Sequence, residues 1–279
     1  MNEKAPSHPP VVWAIAGTDP SGGAGLPADL KTLHALGCYA APIVTAVVAQ
    51  NTRGVRRVRR VSADLVRAQI EALTEDFIPA AVKVGMLGGA PAVRAVADAL
   101  ARLSAPIVCD PVLAASGGAE LLDAEGIRTL ISRLVPRVTV LTPNIPEAER
   151  LTGLRVRGPE DMPHVAERLR GLGAATVVLK GGHLAGPACG DFFTDGERAF
   201  WLWSLRCPLS VHGTGCVFAS ALAAGLARGQ RPADAARWAK AYVNQGLRLA
   251  LVFGGGRPIL AQVPPSFDPA DEPLRTAVE

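Results

Sequence analysis

The chain has 279 residues, 49% of them hydrophobic and 19% charged, which excludes a disordered or fibrous protein and leaves ample material for a buried core. Twenty-nine Lys and Arg against 25 Asp and Glu give a net charge of +4, too mild for a nucleic-acid surface. The five cysteines (Cys38, Cys109, Cys189, Cys207, Cys216) are odd in number and scattered without a CxxC pair, which argues against a disulfide scaffold and a structural zinc site.

Residues 1–10 and 263–279 are rich in Pro and charge without periodicity and are expected as flexible tails around a single domain, 11–262. Val11–Ala16 is an apolar run ending at Gly17, and Gly25–Leu36 carries helical spacing (Leu26, Leu30, Leu33, Leu36) that stops at Gly37. Ile43–Val48 reads as a second buried strand. The run Arg53, Arg56, Arg57, Arg59, Arg60, broken by valines and free of aromatics, reads as a solvated strand edge. Ser62 is placed to cap a helix through Leu65, Ile70 and Leu73. Ala81–Met86, Ile107–Cys109, Val138–Leu141 and Thr176–Leu179 are further short apolar runs, separated by amphipathic segments such as Val93–Leu103, Ile127–Leu134 and Val165–Leu172.

Short strands that are apolar throughout are buried on both faces, which predicts an α/β/α sandwich with a mostly parallel central sheet. Phe192–Phe193 and Ala199–Trp203, joined across Asp195-Gly196, predict an antiparallel hairpin at one edge, and helices over Gly215–Leu226 and Ala233–Leu251 close the domain. MNEKAPSHPP lacks a signal core, and Gly215–Ala227 is well short of the about 20 residues a bilayer requires, so a cytoplasmic protein without a membrane partner is expected.

In a parallel sheet, ligands bind beyond the carboxyl ends of the strands. Gly17-Thr18-Asp19-Pro20-Ser21-Gly22-Gly23-Ala24-Gly25 offers a glycine-rich approach to a helix N-terminus, with neither the P-loop nor the GxGxxG spacing. Val211-His212-Gly213-Thr214-Gly215-Cys216 offers an amide nest for a transferring phosphoryl group, and a first-turn cysteine whose thiolate the helix N-terminus would stabilise. Asp110, Asn144 with Glu147, and Lys180 with His183 follow three of the strands. Asp110 and Glu147 suit Mg²⁺ or its water shell, although Glu147 taken alone reads more readily as a charge complementing the helix dipole.

GTDPSGGAG (17–25), VTAVVAQNTRGV (44–55), KVGML (83–87), CDPV (109–112), TPNIPEAE (142–149), VVLKGGH (177–183) and HGTGC (212–216) stand in an order that resembles one family. It is that of the hydroxymethylpyrimidine/phosphomethylpyrimidine kinases of thiamine biosynthesis, within the ribokinase-like superfamily. The resemblance implies a homodimer using ATP and Mg²⁺ to phosphorylate 4-amino-5-hydroxymethyl-2-methylpyrimidine and then its monophosphate. It implies that Asp29 and Gln50 bind the pyrimidine, with Ala24, Gly25 and Met86 lining the pocket. It further implies Cys216 as the catalytic base, an anion hole of Gly213, Thr214, Gly215 and Cys216, phosphate contacts from Asn144, Lys180 and His212, and metal contacts from Asp110 and Glu147.

Pro27, Ala115, Ser210 and Val217 depart from the family pattern around the phosphate site. Two other readings stay open: a pyridoxal/pyridoxine kinase of the same superfamily, and a pyrimidine-binding module without turnover.

Overall fold

The computed structural model describes residues 8–115, 117–264 and 266–268, together with the backbone of 275–278. The third strand from one edge of the sheet is β1 (Val11–Gly17), whose seven residues are all buried. It pairs in parallel with β2 (Tyr39–Asn51) and β4 (Ala81–Val84), and the parallel block continues through β5 (Ile107–Cys109), β6 (Val140–Leu141) and β7 (Thr176–Leu179). The two faces of β1 feed different cores. Trp13 and Ile15 pack with residues of α2 (Ala63–Thr74), α3 (Ala90–Leu100), α5 (Ile145–Thr152) and α6 (Met162–Arg170). Val12, Ala14 and Ala16 pack instead with α1 (Gly25–Ala35), α7 (Thr214–Ala227) and α8 (Pro232–Arg248). This is the expected three-layer α/β/α sandwich.

Several boundaries differ from expectation for identifiable reasons. The antiparallel pairing occupies both edges of the ten-stranded sheet. Beyond β7 come β8 (Ala188–Thr194) and β9 (Ala199–Leu205), the expected hairpin, while β3 (Gly54–Arg60) turns back along β2 at the other edge. β2 is a long strand whose far half has only β3 beside it, and there Val47 and Ala49 are exposed. On β3 the arginines at 56, 57, 59 and 60 face solvent, while Val55 and Val58 pack toward Val48 and Met86. On α2, capped by Ser62 Oγ accepting from the Leu65 amide, Val66 and Ile70 form the buried stripe and Leu65 is exposed. The stretch 127–134 is divided between a short α4 (Ala124–Thr129) and a π turn (Leu130–Leu134) that runs into a 3-10 turn at Pro136.

The segment 263–279, expected as a tail, carries β10 (Arg275–Val278), antiparallel to β9 at the edge of the sheet. Ahead of it Phe267 packs edge-on against Tyr242, and Gln245 donates to the Ser266 carbonyl. Residues 1–7 of the other expected tail lie outside the described residues. Among the described residues no helix is long and apolar enough to cross a membrane.

Candidate active site

The carboxyl ends of β1, β4, β5, β6 and β7 and the N-terminus of α7 meet at one side of the sheet. The loop after β1 is organised by Asp19, which is fully buried. Its Oδ1 accepts from the Ser21 amide and hydroxyl at 2.9 and 2.7 Å, and its Oδ2 from the Ala24 amide at 2.8 Å. His212 Nε2 donates to the same Oδ2 at 3.0 Å, Gln50 on β2 lies near enough to help keep this carboxylate ionised, and Thr18 Oγ1 accepts from the Val48 amide of β2 at 3.0 Å. Burial alone would raise this carboxyl, yet the bonds from His212 and Ser21 hold it far below the usual carboxylate range. Asp19 and Thr18 therefore tie the glycine loop, β2 and the entry to α7 into one unit.

Backbone contact completes that unit. Gly213, with φ +90°, caps α7, and a Cβ there would collide with the carbonyl oxygen of Gly23. A Cβ on Gly23 would in turn stand 2.6 Å from the His212 ring. Glycine is required at 213 for both conformation and approach. Ala24 and Gly25 border this seam, and Met86, just past β4, packs on the end of β1, its Sδ placed 2.9 Å from where a Gly17 Cβ would sit.

Across the α7 N-terminus lies a charged group. Lys180, at the end of β7, donates to Asp110 Oδ1 at 2.7 Å. A Cβ on Gly215 would stand 3.2 Å from Lys180 Nζ and 3.3 Å from Asp110 Oδ2, so the amide nest faces this pair directly. Burial works against the Lys180 ammonium, but Asp110 and Glu147 beside it outweigh burial and raise it above an ordinary lysine. Asn144 and Glu147 form a reciprocal cap on α5: Asn144 Oδ1 accepts from the Glu147 amide and Glu147 Oε2 from the Asn144 amide, both at 2.9 Å. Burial and the nearby charge of Asp110 push the Glu147 carboxyl up to about 7.

A family model described as phosphomethylpyrimidine kinase matches residues 19–260, which holds every residue named above except Gly17. The chain belongs to the phosphomethylpyrimidine kinase family. It is 43% identical over 252 residues to the hydroxymethylpyrimidine/phosphomethylpyrimidine kinase of Streptomyces coelicolor, covering 90% of this chain and 93% of that one. Among solved structures, the pyridoxal kinase of Staphylococcus aureus in complex with pyridoxal superposes with a TM-score of 0.89 at 29% identity, over 98% and 100% of the two chains. The same enzyme in complex with ADP gives 0.87 at 31%, over 98% and 99%. Phosphomethylpyrimidine kinase of Clostridium difficile gives 0.74 at 36%, over 84% and 98%. The chain is thus a ribokinase-like kinase.

For a member of this family, two sequence expectations need correction. Asp29 does not offer an open carboxylate: it is fully buried, accepts from Lys83 Nζ at 2.8 Å on Oδ2, and accepts from Ser220 Oγ at 2.8 Å on Oδ1. The first turn of α7 does not lower the Cys216 thiol. Burial pushes it up to about 11, against the pull of the Lys83 ammonium and a bond from the Gly25 amide. His212, which immediately precedes the nest, is held against the glycine loop by Asp19. His183 lies exposed in the turn beyond Lys180.

Sequence reading missed Asp19 and Lys83. A short polar side chain followed by Pro-Ser-Gly signals an Asx-type turn, and a lysine inside the apolar run AVKV needs a buried counter-charge. Of the four departures, Pro27 lies in the first turn of α1, Val217 is buried in the core, Ala115 packs on the Met86 cluster, and Ser210 is exposed.

Proposed function

We propose that this kinase transfers the γ-phosphoryl group of ATP to 4-amino-5-hydroxymethyl-2-methylpyrimidine, and then phosphorylates the monophosphate to the diphosphate, in thiamine biosynthesis. The observation that carries this reading is the place of the nest. Gly213–Cys216 has the glycine loop, Gln50 and Met86 on one side and the Lys180–Asp110 pair on the other. An acceptor alcohol on the first side and nucleotide phosphates on the second would meet at backbone amides preset for developing negative charge.

In a loose phosphoryl-transfer transition state, most of the acceleration comes from alignment and charge neutralisation. The amides of Gly213, Thr214, Gly215 and Cys216 would hold the transferring group, and Lys180 would neutralise nucleotide phosphate oxygens. Gln50 would orient the pyrimidine, with Ala24, Gly25 and Met86 shaping the pocket; Asp29 would act from beneath it through Lys83 and Ser220. His212 would hold the acceptor loop against the nest. Cys216 would take the alcohol proton late, after its own thiol has ionised, so turnover would climb with pH.

The residues present fit Mg²⁺. Among the described residues no three carboxylate, His or Cys groups converge as a cage, yet Mg²⁺ on phosphates needs only one or two carboxylates beside phosphate oxygens and water. Asp110 and Glu147 would hold it, with Asn144 fixing Glu147 through the reciprocal cap. Bound there, the ion would neutralise charge on the phosphates. The assembly we propose is a homodimer, which light scattering checks.

A second reading is favoured by the 0.89 superposition on a pyridoxal kinase complex: pyridoxal as a further acceptor alcohol. The test is a coupled assay with ATP and Mg²⁺, offering the hydroxymethylpyrimidine, its monophosphate and pyridoxal separately. Turnover of the first two supports the main reading. No product from any of the three overturns the kinase chemistry.

A further inference from the structure

Far from the acceptor side, a second buried ion pair stands on β8 and α8. Lys240 Nζ donates to Asp191 Oδ2 at 2.8 Å, and both side chains are about 5% exposed. Burial works against the Lys240 ammonium, but Asp191 and the neighbouring Cys189 outweigh it. A pair this buried roughly breaks even as a source of stability, because desolvation offsets the attraction. Its other oxygen shows what the pair holds. Asp191 Oδ1 accepts from the Gly181 amide at 2.9 Å.

Gly181 immediately follows Lys180. A Cβ at 181 would collide with the Gly190 carbonyl oxygen, so this turn lies flat on β8 and only glycine fits. The Lys180 amide donates to the Pro143 carbonyl at 2.9 Å, just before Asn144. Two successive amides are thus fixed from opposite sides, by β8 and by the end of β6. From that fixed backbone, Lys180 Nζ reaches Asp110 and the open side of Gly215.

We propose that Asp191 and Lys240 are a positioning pair for the nucleotide half of the site: Lys240 fixes the Asp191 carboxylate, which clamps Gly181 so that Lys180 faces the phosphates. This rests on the reading of Lys180 as a phosphate contact. β8 lies five strands from β1 and six from β2 in the sheet, so the acceptor pocket is out of its reach.

The test compares two variants that both remove the charges. D191N/K240M keeps a carbonyl oxygen for the Gly181 amide, whereas D191L/K240M removes it. ADP binding by calorimetry does not depend on which alcohol is phosphorylated. We expect D191N/K240M to bind ADP within threefold of wild type and D191L/K240M about tenfold more weakly, the loss of one hydrogen bond. The KM for the acceptor alcohol should stay within twofold in both. In a K180M background the difference between the two variants should vanish, because the clamp acts through Lys180.

Equal ADP affinity in the two double variants overturns the clamp, as does a difference that persists in K180M. D191A/K240M repeats the comparison with a smaller side chain should the leucine not pack. Wild type failing to bind ADP overturns the kinase reading itself, a result distinguishable from either outcome for the clamp.

Discussion

Lys83 and Asp29, 54 positions apart in sequence, meet at 2.8 Å with neither side chain exposed to solvent. Burial opposes the Lys83 ammonium, but the Asp29 carboxylate, with Asp110 nearby, holds it protonated, above an ordinary lysine. Removing one partner leaves a buried charge without its counterpart. Asp29→Leu is therefore expected to cost about 3–5 kcal/mol, read by urea unfolding. The double variant with Lys83→Met should recover most of it, and a double variant as unstable as the single one would refute the charge argument.

Cys216 should be a slow nucleophile in the free enzyme. Its thiol is raised from 9.0 to about 11, so at pH 8 the thiolate is on the order of 100-fold scarcer than for an unburied cysteine. Iodoacetamide labelling of Cys216, followed by mass spectrometry, should be correspondingly slow and still accelerating at pH 10. Cys216→Ala should lower kcat by roughly 10²–10⁴ while ADP affinity stays within about threefold. Unchanged turnover would remove the thiol from the reaction.

Glu147 gives a pH dependence with a defined sign. Its folded value, about 7, lies above the unfolded value near 4.5, so the folded state binds more protons between these limits. The resulting stability is fully present below about 4.5 and is lost as pH rises through about 7. Melting of the nucleotide-free enzyme should therefore fall between pH 5 and 8. Glu147→Gln, which retains an oxygen for the Asn144 amide, should flatten that slope. A slope unchanged in the variant would assign it to other groups.

Gly213→Ala should fail twice over. The residue would have to adopt φ +90° and collide with the Gly23 carbonyl. Expected are a loss of stability above about 1 kcal/mol and turnover reduced at least about 100-fold, with folding checked by circular dichroism. Wild-type turnover would show that the seam between the two loops can yield.

Much of the site was legible because ligand sites in parallel sheets gather at strand ends, where local sequence shows them. GTDPSGGAG and HGTGC each join a turn to a helix N-terminus, and their glycines at 25 and 213 do take positive φ. Asn144 and Glu147 were legible as polar groups just past a strand, while their reciprocal cap on α5 emerges only in the structure. Pairings across the sheet were not legible. Spacing put Asp29 on α1, but only packing decides that its face, with Leu26, Thr32 and Leu33, turns inward. The raised Cys216 thiol escaped for a related reason: the helix N-terminus is visible in sequence, whereas the burial that outweighs it is not. β10 has four residues and no periodicity to betray it; its partner strand β9 is what defines it.

The two edges of the sheet are protected by different means. β3 presents a row of arginines, whose mutual repulsion deters another strand from pairing there. β9 reads AFWLWSL, an apolar and aromatic stretch without a charge, and its free side is taken by β10. That short terminal strand therefore acts as a guard against aggregation. A chain ending at 268 would keep every group of the active site and yet expose a template for association between molecules.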